Sequence, residues 1–273
     1  MSKHAVFILS HGRADNVLTY TTLEKCGYTG DVYIIIDDED ETADQYRERF
    51  GDKVICFDKK AIADASDEGN NFDNRNVIVH ARNACFDIAR ELGLDHFIQL
   101  DDDYYEIAYK YADTTGTPLI KDLNKVFEMM IAFYESTNCK AVAMAQNGDF
   151  IGGWNNEKQY RFNKRKCMNS FILSPKRQFT FVGINEDVNA YTLEGSRGNL
   201  FLTIPVIAIN QKETQKQKGG MTGAYANGTY VKSFTTVTMQ PSSVQVSMMN
   251  ANHKRLHHSI DWKRTVPCII REK

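Results

Sequence analysis

Three aspartates in a row, Asp101, Asp102 and Asp103, directly follow the apolar run 96–100. Adjacent carboxylates repel one another unless a cation or solvent relieves them. Asp101 and Asp103, two residues apart, can turn toward one point and share a hard divalent ion of the kind that keeps waters and binds phosphate oxygens; an acidic solvated turn is the alternative. Asp37 and Asp38 end the apolar run 31–36 in the same way. A carboxylate there can accept a hydrogen bond from a ribose hydroxyl or from a uracil imide, and the neighbouring Glu39, Asp40 and Glu41 make a solvated acidic loop the rival reading. Ser10, His11, Gly12 and Arg13 follow the run 5–9 and offer a permissive backbone and a cation beside a nucleotide. Arg82 and Asn83 stand between two alanines; a guanidinium there orients an acid or a sugar diphosphate, or pairs with one of the aspartates. Glu186 and Asp187 are paired carboxylates in a basic part of the chain, suited to a general base or to compensating the dipole at a helix N-terminus. His257 and His258 are adjacent and point differently, so at most one joins Asp101 and Asp103 on a metal.

Positioning these groups requires a scaffold, and the first half of the chain reads as alternating strands and helices. Strands are expected at 5–9, 31–36, 53–57, 96–100 and 140–145, with helices at 16–25, 76–92 and 119–136. The helix over 76–92 carries apolar residues at 77, 78, 81, 84, 85, 88, 89 and 92, the stripe of a core-facing helix. Asp73 and Asn74 are its candidate caps and Gly93 its stop. Strands separated by helices point to a parallel α/β sheet, in which ligands sit beyond the carboxyl ends of the strands. The polar turns after the first, second and fourth strands then face one crevice. The second half is less regular: 150–169 reads as a loop or hairpin, 211–227 as polar and mobile, and 234–239 and 244–246 as β-prone. No linker divides the chain, which is read as one elaborated domain, 1–273.

The formal net charge of -2 conceals an asymmetry. Residues 1–157 hold 15 Lys and Arg against 29 Asp and Glu, whereas 158–273 hold 18 against 6. An acidic half suited to cations and a basic half suited to a polyanion are implied. Basic residues cluster at Lys158, Arg161, Lys164, Arg165 and Lys166, at Lys176 and Arg177, at Lys212, Lys216 and Lys218, and at Lys254 and Arg255, with Tyr160, Phe162 and amides between them. That mixture suits phosphate contacts with base stacking.

With these residues in view, the chain resembles a GT-A glycosyltransferase, and more narrowly the TET-associated glycosyltransferases, the phage and base-J-type group that attach sugars to oxidised pyrimidines in DNA. The resemblance rests on Ile8-Leu-Ser-His-Gly-Arg13, Tyr33-Ile-Ile-Ile-Asp-Asp38, Ala81-Arg-Asn83, Phe97-Ile-Gln-Leu-Asp-Asp-Asp103, the Glu186–Asp187 pair and His257-His-Ser-Ile-Asp-Trp262. It implies a Rossmann-type, mostly parallel sheet flanked by helices, with a nucleotide-sugar and metal half over 1–157 and an acceptor half over 158–273. It further implies a UDP-sugar donor, with Mn2+ or Mg2+ on Asp101 and Asp103 and His258 (or His257) as a late ligand. Ser10, His11, Arg13, Asp37, Arg82, Asp101 and Asp102 would line the nucleotide-sugar side. Asp187 matches the carboxylate with which inverting members deprotonate the acceptor hydroxyl. The acceptor would be a hydroxylated or hydroxymethylated pyrimidine in double-stranded DNA, gripped by Lys164, Arg165, Lys166, Lys216 and Lys218, and the sugar glucose or a pentose such as arabinose.

Rival functions are a GT-A enzyme with a protein, lipid or polysaccharide acceptor, a metal-dependent nuclease, a nucleotidyltransferase and a non-catalytic DNA-binding module. The nucleotidyltransferase lacks a phosphate-cradling Gly-rich loop, since only Gly12 stands near the N-terminus. A mere binding module leaves the strand-end carboxylates unexplained. The composition, 42% hydrophobic with 15 Phe and 13 Tyr, excludes low-complexity disorder. The six cysteines are widely spaced and never form CxxC, which excludes a disulfide scaffold. No apolar run approaches the roughly 18 residues of a membrane span, and the N-terminus lacks a secretory apolar core. A soluble, reduced, cytoplasmic protein (host cytoplasm if viral) is expected.

Overall fold

The computed structural model describes residues 2–65, 75, 77–110, 118–146, 165–212, 230–250 and 254–265. Each of the five apolar runs read as strands is one: β1 (His4–Leu9), β2 (Asp31–Asp37), β3 (Val54–Phe57), β4 (His96–Asp101) and, later in the chain, β6 (Cys139–Gln146). Between them lie α1 (Leu18–Lys25), α2 (Ala43–Phe50), α3 (Lys59–Asp64), α4 (Val79–Glu91), β5 (Tyr104–Tyr109) and α5 (Leu123–Ser136). The second half adds β7 (Ser170–Leu173), α6 (Glu186–Ser196), β8 (Leu200–Gln211), α7 (Tyr230–Met239), β9 (Val244–Asn250), β10 (Lys254–Ile260) and α8 (Trp262–Thr265).

Among the described residues, eight strands form one sheet in the order β3-β2-β1-β4-β7-β6-β8-β5. All its strands run one way except β7 and β5, which are antiparallel to their neighbours. This is the mostly parallel α/β plan expected. Period-2 alternation sorts each strand between two layers. Val6 and Ile8 join the cluster under α1 and α5, with Leu23, Val126, Phe127 and Met130. Ala5, Phe7 and Leu9 join the cluster under α4 and α6, with Phe86, Ile88, Val188 and Tyr191. The sheet is thus buried on both faces, as parallel sheets must be.

Beyond the short elements α2, α3, β7 and β10, which were not anticipated, three features depart from the sequence reading. The β-prone stretch 234–239 lies within a helix, α7. There Thr235, Thr236 and Thr238 donate their hydroxyls to the carbonyls of Val231, Lys232 and Phe234, so the branched side chains satisfy themselves locally and packing overrides their strand preference. Strand β8 was not expected at all. Its Pro205 lacks a ladder donor, and the pairing with β6 shifts register there, from Ile204 against Met144 to Ala208 against Ala145. Strand β5 was hidden because it begins directly after the aspartates. The caps expected at Asp73 and Asn74, and the loop features of 150–164 and 213–227, lie outside the described residues.

Strands β9 and β10 form a separate antiparallel ribbon that leads into α8. Gly195 of α6 makes that docking possible, because a Cβ there would stand 2.3 Å from the Thr265 carbonyl oxygen. Tyr191 stacks on Trp262 with ring centroids 5.5 Å apart. No helix among the described residues is long and apolar enough to cross a membrane.

Candidate active site

Register brings the strand ends together. Leu9 of β1 lies opposite Asp101 of β4 and Ile35 of β2, so the turns after β1, β2 and β4 open at one edge of the sheet. Their side chains bond across the strands: His11 Nδ1 lies 2.8 Å from Asp37 Oδ2, and Ser10 Oγ donates to Asp102 Oδ2 at 2.5 Å.

The aspartate turn is held rigid from below. The Thr19 hydroxyl donates to the Asp101 carbonyl at 2.5 Å and accepts from the Tyr104 N–H at 3.0 Å, while the Thr19 N–H reaches the Asp102 carbonyl. Asp102 is buried, its oxygens engaged by Ser10 and by Arg13 Nη1 at 2.9 Å. Tyr46 OH completes this lock, sharing a hydrogen bond with Ser10 Oγ and accepting from the Arg13 N–H. Ser10, Arg13 and Asp102, expected on the nucleotide-sugar side, are bound to one another, with Ser10 and Asp102 buried and Arg13 partly so, and they brace the strand ends. Tyr46 and Thr19 were not anticipated. A tyrosine in the mostly polar helix 43–50 was the available signal for the first, and nothing marked the second.

Asp101 and Asp103 take no part in that lock. Asp101 keeps 20% of its side chain open and pairs through Oδ1 with Arg82 Nη2 at 2.8 Å. Burial pushes its carboxyl pKa up, against the pull of the Arg82 charge. At Asp103 the relief from the Arg13 charge is outweighed. Its Oδ1 is buried without a hydrogen-bond partner, and burial, then the Asp101 and Asp102 charges, push its pKa up to about 7. An orphaned carboxylate oxygen beside two further carboxylates is an arrangement that a divalent cation would complete, so the pair fits a hard metal ion.

His258 does not join them. It lies on the β9–β10 ribbon with its ring 4.2 Å from that of His257, and among the described residues no group of three His, Cys, Asp or Glu is arranged to hold a metal. Burial, then the charges of His257, Lys232 and Lys166, lower its pKa to about 3. It is a neutral imidazole whose Nδ1 has no partner.

Arg82, on α4, is 1% exposed and also donates from Nε to Glu186 Oε1 at 3.0 Å. The buried ion pair is the structural reading of this residue, and so deep a guanidinium is not open to a diphosphate here. Burial opposes its charge, but Asp101 and Glu186 outweigh burial and hold it more firmly protonated than usual. Glu186 and Asp187 open α6, the position favoured for carboxylates by the helix dipole. The chain enters that helix through Gly183 at φ 65° and Asn185 at φ 77°, a left-handed turn that non-glycine residues seldom adopt. Asn185 is anchored by its Nδ2 on Thr236 Oγ1 of α7 at 2.7 Å. Asp187 accepts through Oδ1 from the Val188 N–H at 2.7 Å, and its charge reaches Asp101 and Glu186.

Asp37 accepts from His11, from Lys59 Nζ at 3.1 Å and from the Glu39 N–H at 3.2 Å. Burial raises its pKa, but the His11 and Lys59 interactions prevail and lower it. The hydrogen bond to Asp37 raises His11 above 6.5. The sign follows: the His11 contribution to stability is complete below pH 6.5 and is lost as pH rises through its higher folded value. The Asp37 contribution is lost as pH falls through its depressed one. A His11→Asn variant is expected to fall furthest behind the parent in Tm at mildly acidic pH, with the gap narrowing in alkali. A gap independent of pH between 5 and 9, measured by thermal melts, would refute the pair's role.

Of the expected DNA contacts, Lys164, Lys216 and Lys218 lie outside the described residues. Arg165 is half-buried, and burial lowers its pKa. Lys166 precedes β7, its carbonyl accepting from Thr203 Oγ1 at 2.6 Å. Lys176 pairs with Asp95 at 3.1 Å, and Arg177 donates to the carbonyls of Tyr134, Thr137 and Cys139. Of these two, Arg177 ties the end of α5 to the start of β6, while the Lys176 pair lies on the surface.

A family model described as TET-Associated Glycosyltransferase matches residues 4–220. No curated protein matches the chain. Among solved structures, glucosyl-3-phosphoglycerate synthase from Mycobacterium tuberculosis, in complex with Mn2+, UDP and phosphoglyceric acid, is similar in fold. Its TM-score is 0.51 and its identity 7%, over 95% of this chain and 87% of that one. A second structure, described as a mycobacterial protein, has a TM-score of 0.52 and 8% identity over 95% and 84% of the two chains. Both likenesses concern the α/β architecture.

Proposed function

The chain belongs to the TET-associated glycosyltransferase family, and on that premise we propose that it moves a sugar from a UDP-sugar to a hydroxylated or hydroxymethylated pyrimidine base in DNA. The observation that carries the donor half of this reading is the orphaned Asp103 carboxylate beside Asp101 at the end of β4. The similar synthase was solved with Mn2+ and UDP, which supports the same donor chemistry. Asp101 and Asp103 would hold the ion. When bound, a divalent cation neutralises charge that develops on a departing diphosphate. Thr19 and the Ser10–Tyr46–Arg13–Asp102 lock keep the two aspartates fixed, which limits reorganisation at the moment of transfer.

Asp187, buried at the start of α6 with its charge felt at Asp101, is the candidate base. With Oδ1 on the Val188 N–H, Oδ2 takes the proton of the acceptor hydroxyl as the hydroxyl oxygen attacks the anomeric carbon and the bond from that carbon to the UDP diphosphate breaks on the opposite face, with inversion. Glu186 is committed to Arg82 and takes no part in that transfer.

The acceptor half rests on the family and on charge. Residues 158–273 carry the excess of Lys and Arg that a polyanion requires, while 1–157 carry the acidic donor side. A pyrimidine inside a duplex is stacked, so the base must be extruded or the helix bent to reach Asp187. Reversing Lys164, Arg165 and Lys166 to Glu is expected to weaken DNA binding about tenfold or more and to flatten its salt dependence, while slow donor hydrolysis persists. Unchanged affinity and salt slope would refute the basic-face assignment. The reading itself is tested by nucleoside mass spectrometry after incubating hydroxymethylated DNA with a panel of UDP-sugars. A hexose or pentose mass on the pyrimidine is expected. Donor turnover that never labels DNA, but labels a protein or glycan acceptor, would overturn it.

A further inference from the structure

Arg82 joins two groups that belong to different halves of the reaction. Its Nη2 meets Asp101 Oδ1 at 2.8 Å and its Nε meets Glu186 Oε1 at 3.0 Å. The side chain is 1% exposed, with its guanidinium carbon 5.0 Å from the Phe171 ring centroid, and Nη1 is buried without a hydrogen-bond partner. Its charge is therefore divided between a strand-end carboxylate on β4 and a helix-start carboxylate on α6, in surroundings of low polarity where such pairs interact strongly. The planar fork reaches both at once, and a lysine ammonium, a single point charge, does not reproduce that bridge.

We propose that Glu186, acting through Arg82, is a positioning residue that tunes the affinity of Asp101 for a divalent cation and thereby links donor loading to the alignment of Asp187. This inference rests on the assignment of Asp101 and Asp103 as cation-holding residues. While Glu186 shares the guanidinium, Asp101 keeps more of its negative charge for a cation. Without the Glu186 charge, Arg82 turns wholly to Asp101, and a cation must compete with it. The coupling is reciprocal: a cation on Asp101 weakens the Arg82–Asp101 pair and strengthens the Arg82–Glu186 pair. That draws the first turn of α6, and Asp187 with it, toward one fixed position. The acceptor base is then best aligned when the donor side is filled, which disfavours proton abstraction in the empty site.

The test is Mn2+ binding to the full chain without donor or DNA, read from the electron paramagnetic resonance of free Mn2+. Glu186→Gln is expected to weaken Mn2+ binding about tenfold, and turnover lost at low Mn2+ returns as Mn2+ is raised. In an Arg82→Lys background the same substitution is expected to change Mn2+ affinity by less than about twofold, because the bridge is gone. Should Glu186→Gln fail to fold, Glu186→Asp, which shortens the reach by one methylene, shifts affinity in the same direction. Unchanged Mn2+ affinity in the folded Glu186 variant, or an equal shift in both backgrounds, would overturn the proposal. Turnover abolished at every Mn2+ concentration with affinity intact would do so too, by making Glu186 the base. A parent protein that binds no Mn2+ at all refutes the underlying assignment instead, so the two failures are separable.

Discussion

Asp103→Ala is expected to lower sugar transfer about a thousandfold or more, equivalent to about 4 kcal/mol of barrier, and to abolish metal-dependent UDP binding, without lowering Tm. The unusual part is the stability. Asp103 Oδ1 is buried without a partner, and Asp101 and Asp102 add to burial in pushing its carboxyl up to about 7. Removing that side chain relieves the repulsion from Asp101 and Asp102. The turn keeps its shape because Thr19 holds the backbone of Asp101, Asp102 and Tyr104. A carboxylate that strains the free fold and is needed by the reaction is the pattern of a functional group rather than a structural one. Turnover within tenfold of the parent, or a fall in Tm of many degrees, would count against it. Calorimetry of UDP with and without Mn2+, alongside thermal melts, separates these outcomes.

Asp187→Asn is the second large expected effect: a fall in kcat of about 10²- to 10⁴-fold, the range of a lost general base, with donor KM little changed. The substitution is isosteric, and the amide oxygen can still accept from the Val188 N–H, so the left-handed entry through Asn185 and the anchor on Thr236 are preserved. An amide cannot take the acceptor proton, so the loss falls on the chemical step. A kcat unaffected by this change, together with a product that retains the anomeric configuration of the donor, would remove Asp187 from the mechanism.

The strand ends were legible in the sequence because burial on both faces leaves uninterrupted apolar runs, and each of these stops abruptly at a polar turn. The runs ending at Leu9, Ile36 and Leu100 therefore disclosed three neighbouring strands and the edge they share. The same local logic could not show which aspartate of three faces inward. Asp102 turns into the fold because Ser10 and Arg13, some ninety residues away in sequence, meet it, and Tyr46, whose hydroxyl completes the lock, stands in a helix that carries no chemical motif. Arg82 was legible as an ion-pair former, yet Glu186 as its second partner required the sheet that brings α4 and α6 onto the same face. Residues 234–239 misled because their branched side chains favour strands intrinsically, while the packed structure lets their hydroxyls bond back along a helix. His258 was expected at the metal by resemblance. Its ribbon is fixed instead through α8 against Gly195 and Tyr191 of α6, a docking that no local spacing encodes.

Crystals grown or soaked with Mn2+ and UDP test the central claim most directly. The account predicts one anomalous manganese peak at about 2.1–2.3 Å from carboxylate oxygens of Asp101 and Asp103, with the diphosphate on its far side and the uracil toward Asp37. Manganese and UDP bound together elsewhere, or no binding at concentrations that saturate turnover, would contradict it.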